Sequence, residues 1–293
     1  MIAVALLRPR RLRVSLWRVL DNLWTKSVPS DDALQQAAPA LLLPRIRFVL
    51  VETSLSGNIG ATARAMKNMG LSRLALVRPK QGARFADADA VARASGADDL
   101  LQAATLHDSL AEALAGCRLV LGTSARLRAL EWPLLDAEGG GARLLAEAAH
   151  GDVALVLGRE ATGLRNDELA LCHYLVQIPT NPDFSSLNIA AAAQVFAYEI
   201  RRQLIRRPVG SAAVADERPE LATADEMEGF HAHLMHTLLA IGYADAEQCG
   251  TLARRLRRLF HRARPDRTEL NILRGVLAKV AGRPGAEPDR RSG

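Results

Sequence analysis

Short, almost wholly apolar runs punctuate the chain from Ile46 onward, at 46–51, 74–77, 119–121, 153–157 and 174–178. Runs of this length without alternation predict strands buried on both faces. Between them, at 58–69, 87–95, 108–115 and 141–149, apolar residues recur at the helical period, and an Ala-rich helix is expected over 187–204. Asn166 with Glu168 opens a short helix. Strands alternating with helices predict an α/β domain, a mainly parallel sheet with helices on both faces.

The pattern breaks after Arg207. Residues 207–222 carry Pro208, Gly210, Ser211 and Pro219 and read as a linker. Beyond it the spacing is helical throughout, over 224–241, 245–260 and 266–281, which predicts a small all-helical C-terminal domain. Thr223 and Glu226 are spaced as a capping box. The expected organisation is an N-terminal extension over 1–44, an α/β domain over 45–206, the linker, a helical domain over 223–283 and a tail over 284–293. The extension opens with apolar residues and then arginines, the reverse of a secretory signal. It loosely resembles a transit peptide or a basic amphipathic helix, and we read it as a poorly ordered extension.

Composition narrows the partners. Hydrophobic residues make up 49% and aromatic residues 4%, so the core must be built from Ala, Leu and Val. The net charge of +6 suits a polyanion such as nucleic acid, or an anionic surface. Residues 251–267 hold seven arginines and one acid. Leu252, Leu256 and Leu259 fall on one helical face there, and Arg254, Arg255, Arg257 and Arg258 on the other; that face is either solvated or phosphate-binding. Cys117, Cys172 and Cys249 are too scattered for a disulfide framework or a zinc pattern, which points to reduced thiols in a cytoplasmic protein. His231, His233 and His236 have no matching carboxylate or thiol cluster and read as a solvated helix face, so no metal is expected. No apolar run reaches membrane-span length.

The candidate chemistry lies where strands end. The run 52–60 joins the first strand to the first helix and lacks both GxGxxG and GxxxxGK[ST], so dinucleotide and P-loop readings are poor. Gly57 and Gly60 permit close backbone approach, Asn58 can cap the helix, and Arg64, within the first two turns, can reach back over the strand tips. Gly158, Arg159 and Glu160 follow a buried strand, where a charged pair is unusual for mere solubility. Gly163 marks a turn. Pro179 and Pro182 constrain the next loop, and Ser185, Ser186, Leu187 and Asn188 end it. Its hydroxyls and helix N–H groups suit a carboxylate or an adenosine. A hydrolase is a poor reading, since no GxSxG elbow occurs and His173 is the sheet's lone histidine.

Four segments, GNIGATARAMKNMGL, GTSARLR, LVLGREATGLRNDEL and IPTNPDFSSLNIAAAAQVFAYE, resemble the ordered motifs of the SPOUT-class RNA methyltransferases. The resemblance is closest to the TrmJ type among the TrmH-like ribose 2′-O-methyltransferases, and RRLFHRARPDRTELNILRG resembles the helical tail of that type. It covers about residues 45–281. The resemblance implies a trefoil knot in the C-terminal part of the sheet, a homodimer, and S-adenosyl-L-methionine as methyl donor. By matching motif, the donor would contact Thr123, Ser124, Ala125, Gly158, Ile178, Ser185, Ser186 and Leu187, with Asn188 adjacent. Arg64, Asn58 and Glu160 match catalytic positions. Arg126 and Arg128 match other active-site positions and are candidates for binding the RNA. The implied substrate is tRNA, methylated on the 2′-hydroxyl of anticodon-loop nucleotide 32. Phe184 departs from a frequent Tyr; the hydroxyl's hydrogen bond is lost, while stacking on a base or an adenine survives. Two alternatives stay open: a related 2′-O-methyltransferase acting on another tRNA position or on rRNA, and an RNA-binding protein without catalysis.

Overall fold

A computed structural model describes residues 41–80, 87–124, 132–207, 220–245 and 249–281. The extension over 1–40 and most of the linker lie outside the described residues. Seven strands form one parallel sheet: β1 (Ile46–Val51), β2 (Arg73–Val77), β3 (Thr105–His107), β4 (Cys117–Thr123), β5 (Leu134–Asp136), β6 (Asp152–Leu157) and β7 (Tyr174–Gln177), in the order β3-β2-β1-β6-β4-β7-β5. Late strands are interleaved with early ones: β6 lies between β1 and β4, and β7 between β4 and β5.

Alternate residues of each strand point to opposite faces, and both faces are covered. Phe48, Leu50, Leu74, Leu76, Leu155 and Leu157 pack on one side with α1 (Ser56–Asn68), α5 (Ala137–Ala148) and α7 (Ile189–Arg206). Val49, Val51, Val77, Val120 and Val156 pack on the other with α4 (Leu110–Leu114) and α6 (Asn166–Leu169). Two further short helices, α2 (Ala88–Ala94) and α3 (Asp98–Gln102), lie between β2 and β3 in the chain. Gly60 belongs to the packing rather than to a ligand site: a Cβ there would meet the Ala90 carbonyl oxygen at 1.9 Å, so the glycine lets α1 lie against α2. Leu42 and Leu43 are already buried in the first core, ahead of the expected domain start at residue 45.

The helical domain comprises α8 (Ala224–Ala240), α9 (Cys249–Ala263) and α10 (Arg267–Ala281), around Met227, Phe230 and Leu270. Glu226 accepts from the Thr223 N–H at 2.8 Å, as the capping-box spacing predicts. This domain packs where the strands begin. The Asp225 carboxylate accepts from the Gly116 N–H at 2.8 Å, just before β4. Arg264 pairs with Glu147 at 2.7 Å, ahead of β6. The His261 ring bonds to the Ala170 carbonyl and stacks edge-on against His173, next to β7.

Two sequence expectations change here. His231 is 3% exposed, turned into the seam beside His261, and is no part of a solvated face. Leu259 is 47% exposed, because Phe260 and His261 take the inward positions.

Candidate active site

A cavity of about 530 Å³ opens at the carboxyl ends of β4, β6 and β7. Thr123 ends β4 with Ser124 after it, Gly158 follows β6, and Ile178 follows β7. Ser185, Ser186 and Leu187 enter from the loop before α7. The three loops singled out from the sequence therefore converge on one space of the size that holds a small ligand. Ala125, Arg126 and Arg128 lie outside the described residues. Leu157, Val176, Phe196 and Thr180 also line the cavity.

Backbone detail explains the shape. Gly163 takes φ 67°, and its N–H and carbonyl pair with those of Arg159, which folds 159–163 into a tight turn. Gly158 lies under that turn; a Cβ there would meet the Gly163 carbonyl carbon and the Leu164 nitrogen, both at 2.3 Å. Thr180 donates to the Ser185 carbonyl at 3.3 Å and closes the second loop.

Three side chains tie the wall together. Asn188 caps α7, its Oδ1 accepting from the Ala190 N–H at 2.9 Å, while its Nδ2 donates to Asn58 Oδ1 at 3.0 Å. Asn58 Nδ2 in turn donates to Glu160 at 3.0 Å. Glu160 also accepts from the Ser54 and Leu55 N–H groups. Burial alone would raise the Glu160 pKa; the bonds from Asn58 and Ser54 outweigh it and hold the carboxyl below its ordinary value. Asn58 is thus no helix cap. Leu55 occupies that position, because the Asn58 amide is drawn to Glu160 and Asn188.

A second polar set braces the same turn. The buried Arg159 guanidinium forks onto Glu168 at 2.7 and 2.9 Å and reaches Glu52 at 2.8 Å. The hydrogen bond from Arg159 leads the causes that hold Glu52 down at about 2. Arg159 stood out in the sequence, but its pairing with Glu52 and Glu168 did not. Its visible signal was an acid after the β1 run and a base after the β6 run.

Arg64 is corrected. It is the ninth residue of α1, exposed, and outside the cavity lining, because the helix starts at Ser56 and carries it beyond two turns. Phe184 is 80% exposed and also outside the lining, so it offers no wall for an adenine. On α9, Arg254 and Arg255 are exposed as expected. Arg257 is not free for a phosphate, since it pairs with Glu228, and Arg258 lies over the Trp132 ring at 5.9 Å. Among the described residues, no group of three or more His, Cys, Asp or Glu is placed to hold a metal, and no helix is long and apolar enough to cross a membrane.

Comparison with known proteins agrees with this architecture. Residues 45–198 match the SpoU rRNA Methylase family, and 225–291 match the C-terminal domain of the tRNA methyltransferase TrmJ. A tRNA (cytidine/uridine-2′-O-)-methyltransferase TrmJ from Pectobacterium atrosepticum is 51% identical over 239 residues, covering 82% of this chain and 98% of its own. Its namesake from Salmonella typhimurium is 52% identical over 240 residues, covering 82% and 97%. The crystal structure of TrmJ from Z. mobilis superposes with a TM-score of 0.71 at 34% identity, over 80% of this chain and 98% of that one. With a sheet domain and a helical domain both accounted for in this order, the chain belongs to the SpoU methylase family and, within it, to the TrmJ type.

Proposed function

We propose that this protein transfers a methyl group from S-adenosyl-L-methionine to the ribose 2′-hydroxyl of nucleotide 32, cytidine or uridine, in the anticodon loop of tRNA. The observation that carries the reading is the convergence of three strand-tip loops on one cavity, walled by Glu160 and its bond to Asn58. Two relatives about half identical to this chain bear the name of a tRNA 2′-O-methyltransferase, which supports the substrate class.

The residues fit such a donor. Leu157, Val176, Ile178 and Phe196 give an apolar wall for a flat base, and Thr123, Ser124, Thr180 and Ser185 bring polar groups to the same space. When bound, the donor supplies an electrophilic methyl that carries its own leaving group. The protein's task is then alignment and proton control. Fixing two reactants in line lowers a barrier by up to about 7–11 kcal/mol in ideal cases. Glu160, ionised and held by Asn58 and Ser54, is an acceptor that orients a donor group of the substrate. Asn188 keeps the helix N-terminus in register with that wall. A guanidinium is a poor base, so the hydroxyl proton goes elsewhere. Exposed on α1, Arg64 clamps the neighbouring phosphate and stabilises the alkoxide, and a phosphate or water accepts the proton.

Arg126 and Arg128, which come shortly after β4 in the chain, and Arg254 and Arg255 on α9 serve the RNA in this reading. A homodimer, a trefoil knot in the C-terminal part of the sheet and a cytoplasmic location complete it. The test is incubation with tRNA and methyl-labelled donor, followed by mapping of 2′-O-methyl groups. Label at nucleotide 32 is expected. Label elsewhere transfers the assignment to another position, and tRNA binding without donor binding reduces the protein to an RNA binder.

A further inference from the structure

The strand tips beside the cavity hold a group of side chains that the reaction leaves unused. β1 and β2 are neighbours, with Val51 opposite Val77, and the residue after each takes a left-handed backbone: Glu52 at φ 47° and Arg78 at φ 42°. Non-glycine residues hold that conformation only where their surroundings enforce it, and such residues cluster at functional sites. Here the two are joined. Arg78 Nη2 donates to Glu52 Oε1 at 2.9 Å, and Arg165 Nη2 donates to both Glu52 oxygens at 3.1 and 3.3 Å.

Structure alone does not call for both arginines. Arg159 is buried and already answers Glu52 and Glu168. Arg78 and Arg165 bring the bonded set to three guanidiniums against two carboxylates. Both side chains are 53% exposed, and each gives Glu52 a single nitrogen of a fork with five N–H donors. One carboxylate thus holds two half-exposed guanidiniums side by side against their mutual repulsion. Two planar forks with donors turned to water match a phosphate better than any neutral group. Arg165 directly follows Leu164 of the cavity wall, so the pair stands at the cavity rim.

We propose that Arg78 and Arg165, pinned together by Glu52, form a clamp for the sugar-phosphate backbone of the RNA at the rim of the active-site cavity. The proposal rests on tRNA being the substrate. It places the clamp on the β1–β2 side, away from the arginines of the helical domain.

The test uses the full chain and measures tRNA affinity against salt, together with donor affinity. Each neutralised phosphate on a single strand contributes about 0.7 to the slope of log K against log salt. R78A/R165A is expected to lower that slope by about 1.4 and weaken tRNA binding, with donor affinity unchanged. R78K/R165K keeps the charge and is expected to restore most of the slope. R93A, which removes an exposed arginine paired with Asp89 on α2, is the control and is expected to leave the slope as it is. An unchanged slope in R78A/R165A, an equal fall in R93A, or a parallel loss of donor binding overturns the clamp. If the unaltered protein methylates tRNA while R78A/R165A keeps the full slope, the clamp alone falls. If the unaltered protein binds no tRNA, both readings fall.

Discussion

Asn188 Nδ2 donates to Asn58 Oδ1 at 3.0 Å, while its Oδ1 caps α7 through the Ala190 N–H at 2.9 Å. One side chain fastens the start of α7 to the first turn of α1, and Asn58 passes the link to Glu160. Fold and reactive wall share this residue, and two substitutions separate the roles. Asn188→Ala loses both and should cost about 1 kcal/mol of stability. Asn188→Asp keeps the cap and loses the donor. It should melt near the unaltered protein yet methylate at least tenfold more slowly. Thermal melts beside single-turnover methylation check this; full activity in Asn188→Asp would show that the bridge has no part in the reaction.

Gly158→Ala should abolish donor binding with little change in secondary structure. Its Cβ would strike backbone atoms of Gly163 and Leu164 at 2.3 Å, so the 159–163 turn must move. Calorimetric titration with S-adenosyl-L-methionine reads the effect, and affinity within threefold of the unaltered protein would contradict it.

Arg159→Met should be strongly destabilising. It leaves the buried Glu168 without its guanidinium, and an unsatisfied buried group costs about 1–3 kcal/mol, more when it is charged; Glu52 keeps Arg78 and Arg165. A urea titration measures the shift. The same set sets an acid limit. The Glu52 pKa is depressed to about 2 when folded, so its contribution is complete above the ordinary carboxylate value of 4.5 and is lost as pH falls through 2. Glu52→Gln should flatten stability across that window.

The seam between the domains should weaken at mildly acid pH. Burial lowers the pKa values of His173, His231 and His261, to about 3 for His231 and about 4 for His261. Below 6.5 the unfolded chain binds protons that the folded seam refuses. Stability therefore falls as pH drops from 6.5 towards 4, by about 1.4 kcal/mol per pH unit for each histidine. His231→Phe should reduce the slope by one such share, because its Nε2 meets no hydrogen-bond partner among the described residues. Unfolding midpoints from pH 7 to pH 4.5 give the comparison.

Five strands and the long helices were legible because their side chains are sorted by burial. Phe48, Leu155 and Val156 have no exposed face to interrupt the apolar run. β3 and β5 escaped notice for the opposite reason: they are three residues long, at the sheet edges, with Leu106 and Leu134 exposed. The cavity loops were legible because polar and glycine residues follow buried strands. The link from Arg159 to Glu52 was not, since it depends on β1 lying beside β6, 107 residues apart at these positions. The close backbone approach expected at Gly60 is present, but its partner, the Ala90 carbonyl of a neighbouring helix, could not be read from the sequence.

The helical domain docks where the strands begin, and the cavity opens where they end. Six residues of strand separate the two by about 20 Å. A polynucleotide touching Arg254 and the cavity of one chain must bridge that distance along the flank of the sheet. RNA bases that enter the cavity and RNA phosphates that meet the helical domain would therefore belong to different stretches of the molecule.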